Sequence, residues 1–120
     1  MKRQKIIAVD LDGTLTKKGF FPDFMDLTPN QLKETFDNAE PDKEMIKIIN
    51  DYVEKGYLVY VFTSRQDIHQ NQVSKWLKKH KINVNFFIMN KPYYDLLIDD
   101  KAISPEQIKE LHKIEKHQKV

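Results

Sequence analysis

The sequence predicts an α/β fold in which a parallel sheet carries helices on both of its faces. Three observations predict it. Short, continuous apolar runs alternate along the chain with stripes of helical spacing. Each apolar run stops at a turn signal or a polar residue. The length of 120 residues suits one such domain and leaves little room for a second core. Right-handed crossovers would place the carboxyl ends of all the strands along one edge. Ligands bind at that edge in open parallel sheets.

The elements follow in order. Ile6-Ile7-Ala8-Val9 is an unbroken apolar run ahead of Asp12-Gly13, as expected of a strand buried on both faces. Thr28, Pro29 and Gln31, flanked by Leu27 and Leu32, form a helix-start signature that predicts a short helix near 29–38. Between Asp42 and Lys55, apolar residues at 45, 46, 48, 49, 52 and 53 make one helical face, and Gly56 stands where a C-terminal cap belongs. Leu58 to Phe62 is the second strand, ended by Thr63-Ser64-Arg65. Val73, Trp76, Leu77 and His80 mark a helix over about 67–81. Val84 to Met89 is the third strand, and Leu96-Leu97-Ile98, ended by Asp99-Asp100, is the expected fourth. Ser104, Pro105 and Gln107, with Ile103 and Ile108 as a hydrophobic staple, start the last helix.

Composition removes several chemistries. The chain has no Cys, so it has neither disulfides, nor a thiolate metal site, nor a cysteine nucleophile. Its four His lack zinc-ligand spacing. Three Gly cannot assemble a dinucleotide fingerprint or a P-loop. No apolar run approaches the ~20 residues of a membrane span, and the N-terminal run is too short for a signal peptide. A cytoplasmic protein without a membrane partner is the expectation. The 20 basic and 18 acidic residues give a net charge of +2, which gives no push toward nucleic acid and is compatible with an anionic substrate. All of the basic residues but Arg3 and Arg65 are Lys.

The strand ends carry the chemistry. Asp10 and Asp12 are two residues apart and point the same way if the strand continues. They would repel each other, and a divalent cation relieves that repulsion. Oxygen-rich sites without Cys or His favour Mg²⁺. Gly13 permits a tight turn that turns backbone N–H groups toward an anion. Thr63 and the backbone after it, at Ser64, can hold a phosphate oxygen. Lys91 lies just beyond the third strand, in a connection that Pro92 stiffens. Asp99 and Asp100 are adjacent acids at the end of an apolar run, awkward without a cation. Arg65 stands close enough to bind a phosphate or a carboxylate, and a solvent contact at a helix start serves it equally well.

In these features the sequence resembles the haloacid dehalogenase (HAD) superfamily. Asp10-Leu-Asp-Gly-Thr-Leu-Thr16 matches its first motif in full, Val59 to Thr63 its second, Lys91 its third and Asp99-Asp100 its fourth, all in order between residues 6 and 100. The run from Asn90 to Ile103 is similar to small, capless bacterial members that act on capsular-polysaccharide or sugar phosphates. The resemblance implies a Rossmann-like three-layer sandwich with the strand order 3-2-1-4 and no cap domain. It implies a single domain over residues 1–120 with a flap-like insert at about 13–41. It implies Asp10 as nucleophile, Asp12 as general acid and base, and Gly13, Thr63, Ser64 and Lys91 as phosphate-binding groups. Mg²⁺ would be held by Asp10, the Asp12 carbonyl and the acidic pair, with Asp100 as the direct ligand and Asp99 orienting water or Lys91.

The expected activity is Mg²⁺-dependent hydrolysis of a phosphomonoester through an aspartyl-phosphate, on a sugar phosphate, a nucleotide or a phosphorylated polymer end. An open site implies a large substrate or a partner copy that closes it. Phe20, Phe21 and Phe24 serve either as a substrate lip or as packing of the insert against the sheet. The competing readings are a receiver-like signalling domain and a catalytically silent phosphate-binding domain. The first gives Asp12 no acid–base task, and the second does not account for motif positions that are all intact.

Overall fold

The computed structural model describes residues 3–17 and 28–118. Its elements are β1 (Ile6–Asp10), α1 (Pro29–Asp37), α2 (Lys43–Glu54), β2 (Leu58–Phe62), a 3₁₀ turn (Asp67–His69), α3 (Gln70–Lys79), β3 (Phe86–Ile88) and α4 (Pro105–Gln118). The flap residues Phe20, Phe21, Phe24 and Met25 lie outside the described residues.

Local chemistry sets the helix starts. Thr28 Oγ1 accepts from Gln31 N at 3.2 Å and Thr28 N donates to Gln31 Oε1 at 2.9 Å, which is the reciprocal cap expected of that spacing. Ser104 and Gln107 make the same pair, both bonds at 3.1 Å, ahead of α4. Asp42 Oδ1 accepts from Met45 N at 3.1 Å and opens α2. Gly56, at φ +90, ends the turn after α2 in a conformation that other residues adopt only with strain.

The sheet is parallel, with β2 between β1 and β3. Its register sets Asp10 beside Phe62, and Phe62 beside Ile88. Val9, Val59 and Val61 share one face and are buried with Ile46, Ile48 and Ile49 of α2 and Val73, Trp76 and Leu77 of α3. Each such side chain contributes about 1.5–3 kcal/mol of burial free energy. α4 packs on α2, with Lys109 Nζ donating to Asp42 Oδ2 at 2.7 Å and His112 Nε2 lying 3.0 Å from Asp51 Oδ2. The insert returns through α1. There Phe36 packs on Trp76 with ring centroids 5.7 Å apart, and Trp76 Nε1 donates to the Ala39 carbonyl at 3.1 Å.

Two expectations need correction. Residues 96–98 form no strand, so β1 is an edge strand among the described residues, and the order seen is 3-2-1 without the fourth. Leu96 is 77% exposed and Ile98 91%. The run is only three residues long, and a local turn competes with a ladder: Asp99 Oδ1 accepts from Lys101 N at 2.9 Å. The second face of the sheet is not sealed either. Ile6, Phe86 and Ile88, which alternate with the buried positions, are exposed. A helical layer on that face is therefore not seen among the described residues. No helix there is long and apolar enough to cross a membrane.

The Trp76–Ala39 bond generates a prediction. Trp76→Phe keeps a ring against Phe36 but deprives a buried carbonyl of its donor. Urea unfolding should show a loss of about 1–3 kcal/mol. An unchanged midpoint would mean that this bond does not hold the insert to α3.

Candidate active site

The chain leaves β1 through a turn closed on a single acceptor. The Leu11 carbonyl accepts from Thr14, Leu15 and Thr16 at 3.3, 3.0 and 3.1 Å. Gly13 sits inside this turn at φ +80. Its N–H donates to Thr16 Oγ1 at 2.7 Å, and Thr16 is fully buried. The Gly13 N–H expected to face an anion is therefore spent on the turn, and Gly13 acts here by shaping the backbone.

Asp10, at the end of β1, is half-buried. Its Oδ1 accepts from Leu11 N at 2.9 Å and from Lys91 Nζ at 3.1 Å. Lys91 reaches it because the chain after β3 is tied back to the end of β2. Asn90 N donates to the Arg65 carbonyl and Lys91 N to the Thr63 carbonyl, both at 2.8 Å. Asn90 is left-handed at φ +62, a conformation Asn tolerates better than most residues. That turn and the two backbone bonds carry Lys91 to the site. The ammonium also lies 4.2 Å from the Phe62 ring centroid and 5.3 Å from that of Tyr94.

Asp12 is met by Arg65. Nε donates to Oδ2 at 3.1 Å and Nη2 to Oδ1 at 2.8 Å, a two-point contact that fixes the plane of the carboxylate. Arg65 is 2% exposed, and its guanidinium lies 3.8 Å from the Phe36 ring centroid. Burial pushes the Asp12 carboxyl above its ordinary value. The Arg65 hydrogen bond and charge pull it down, Asp10 pushes it up, and Lys91 pulls it down, but burial prevails. Such a group holds its proton to higher pH than an ordinary carboxyl does.

Thr63 is buried, and its Oγ1 accepts from Arg65 N at 3.2 Å. Ser64 is partly exposed beside it. The structure thus brings Asp10, Asp12, Thr63, Arg65 and Lys91 to the carboxyl ends of β1, β2 and β3. It does not bring Asp99 and Asp100, which are exposed beyond β3. Among the described residues no three acidic or imidazole side chains gather into a cation site. The arrangement described therefore does not fit the expected Mg²⁺ cage. Asp10 and Asp12 are turned instead toward Lys91 and Arg65. The role of Arg65 was left open by sequence reasoning. The available signal was an Arg, in a chain that otherwise uses Lys, at the end of a buried strand.

Comparison with known structures places the fold. A target from Vibrio cholerae, known from its crystal structure, aligns over 97% of this chain and 100% of its own, with a TM-score of 0.66 and 22% identity. A Pnkp1/Rnl/Hen1 complex aligns over 92% of this chain and 33% of the matched chain, with a TM-score of 0.55 and 19% identity. A Pnkp1/Rnl/Hen1 RNA repair complex gives 94% and 32%, with a TM-score of 0.54 and 18% identity. This chain spans about a third of the chains it matches in those two complexes. No curated protein matches. The model of the PITM 1-3 LNS2 domain matches residues 7–119, nearly the whole chain. With the parallel sheet and the acids at its carboxyl edge, that match assigns the chain to the LNS2 domain family, which is a family of HAD-like phosphatase domains.

Proposed function

We propose that this domain hydrolyses a phosphomonoester through an aspartyl-phosphate on Asp10, as a single HAD-type domain without a cap. One observation carries the reading: Lys91 Nζ lies 3.1 Å from the Asp10 carboxylate, while Asp12 is held beside it. A nucleophile, a cation for the phosphoryl oxygens and an acid–base group then share one edge of the sheet.

The chain's own residues divide the work. An Asp10 oxygen forms a bond to phosphorus as the bond to the leaving oxygen breaks. That oxygen keeps the electron pair and takes a proton from Asp12. Asp12, now a carboxylate, accepts a proton from the water that attacks the phosphoenzyme. The water oxygen bonds to phosphorus, and the Asp10 carboxylate departs. Lys91 and the Thr63 hydroxyl hold the phosphoryl oxygens. The reading extends to a Mg²⁺ requirement, which needs residues 96–100 to lie along the outer edge of β1 so that Asp99 and Asp100 approach Asp10. The substrate class proposed is a sugar phosphate or a phosphorylated polymer end in the cytoplasm, taken by an open site.

One observation favours a second reading. Among the described residues the acidic pair joins no cluster of three possible metal ligands, as in a catalytically silent phosphate-binding domain. Activity decides between the two. The first reading predicts release of para-nitrophenolate from its phosphate ester, stopped by EDTA and restored by Mg²⁺. Turnover that is indifferent to EDTA would remove the metal from the account. Asp10→Asn should abolish turnover with little change in thermal unfolding, since the amide cannot form the acyl-phosphate. Unchanged turnover in that variant would exclude Asp10 as nucleophile. A second measurement tests the strand. Amide exchange at 96–98 should slow when Mg²⁺ and orthovanadate are added together, and unaltered exchange would refute docking on β1.

A further inference from the structure

Arg65 is buried and grips the Asp12 carboxylate along one edge of its guanidinium group. We propose that it is the positioning residue for the acid–base step: it sets the plane of the Asp12 carboxyl so that one oxygen faces the leaving group. This inference rests on the reading of Asp12 as acid and base.

The geometry supports it in three ways. First, the contact is two-point, with Nε on one oxygen at 3.1 Å and Nη2 on the other at 2.8 Å. A guanidinium bound in this way takes one lone-pair site on each oxygen and leaves the opposite sites open for a proton. Rotation of the carboxyl about its own axis would break both bonds. Second, Arg65 is itself immobilised. Its guanidinium lies 3.8 Å from the Phe36 ring centroid, its backbone N–H donates to Thr63 Oγ1, and its carbonyl accepts from Asn90 N. Third, the support comes from the insert. Phe36 is the last aromatic of α1 and is held by Trp76, so the returning arm of the insert backs the residue that aims Asp12. Asp10 and Lys91 are the other charged groups that bear on Asp12. These two act on Asp12 through charge, whereas Arg65 hydrogen-bonds its carboxylate, so orientation falls to Arg65.

The step it serves is balanced as follows. The bond between phosphorus and the leaving oxygen breaks, and its electron pair stays on that oxygen. The proton that neutralises it leaves the open side of Asp12. A carboxyl in the wrong plane misses this transfer even when it carries the proton, and misplacement of about 1 Å costs about 100-fold in rate.

The test uses Arg65→Lys, which keeps the stem and charge but offers no fork. Phe36→Leu is a second variant, which keeps apolar bulk but removes the ring beneath the guanidinium. Turnover is compared on para-nitrophenyl phosphate, whose leaving group needs little protonation, and on a simple alkyl phosphate, whose leaving group needs it fully. In Arg65→Lys, kcat on the alkyl ester should fall roughly 10–100-fold further than on the aryl ester, with KM little changed, because acid–base catalysis is worth about 10²–10⁴. Phe36→Leu should show the same split, smaller. Equal losses on both esters would mean a structural role and would overturn the proposal, as would a change confined to KM. Crystal structures of the wild type and of Arg65→Lys read the orientation without activity. A turned Asp12 carboxyl in the variant supports the proposal, and an unmoved one overturns it. If the wild type hydrolyses neither ester, the phosphatase reading falls, and these structures alone decide whether Arg65 sets the plane of Asp12.

Discussion

Two carboxylates at the end of one strand repel each other, and the carboxyl edge of this sheet is organised around that repulsion. Asp10 and Asp12 are two residues apart on a partly buried rim. Each is answered by a cation from a different loop: Lys91 from the chain after β3, and Arg65 from the chain after β2. The two loops are stitched together by backbone bonds from Asn90 and Lys91 to the Arg65 and Thr63 carbonyls. The cations are therefore placed by the fold of the chain and not by chance contact of long side chains. Solvent screens the Lys91 pair, which is the more exposed of the two. The buried Arg65 pair is screened far less, and desolvation of Asp12 still outweighs its effect on that carboxyl.

Most of the fold was legible because its signals are local. The Thr28–Gln31 and Ser104–Gln107 spacings gave two helix starts, and both reciprocal caps are present. Leu58 to Phe62 is apolar throughout, as a central strand must be, and β2 is central. The third strand is shorter than its apolar run, since β3 covers only Phe86–Ile88. Residues 96–98 misled for a physical reason. Three apolar residues say that a segment can be buried, but not that its backbone has found a partner. Where acids flank them, a turn such as Asp99 to Lys101 competes on equal terms.

The site was legible in its membership more than in its bonds. Asp10, Asp12, Thr63 and Lys91 could be named because polar residues at the ends of buried strands must converge. The Gly13 N–H donates to a hydroxyl three residues on, that of Thr16. No spacing rule distinguishes that bond from an anion contact. Arg65 was the residue whose role sequence could not choose, since its partner lies 53 positions away. Only the parallel pairing of β1 with β2 brings the two together.

Membership of the LNS2 family makes this a HAD-like phosphatase domain, and the likeness to solved structures below 25% identity shows its fold. The proposed chemistry rests on Asp10. The most direct measurement is to mix the Asp12→Ala variant with a phosphomonoester, quench with acid and map the phosphoryl group by peptide mass. With the acid–base group gone, the account predicts that phosphate remains as an acyl-phosphate on the peptide containing Asp10, at a level well above that in the wild type. A phosphoryl group found on Thr63 or Ser64, or hydrolysis that proceeds with no covalent phosphate at any time, would contradict it.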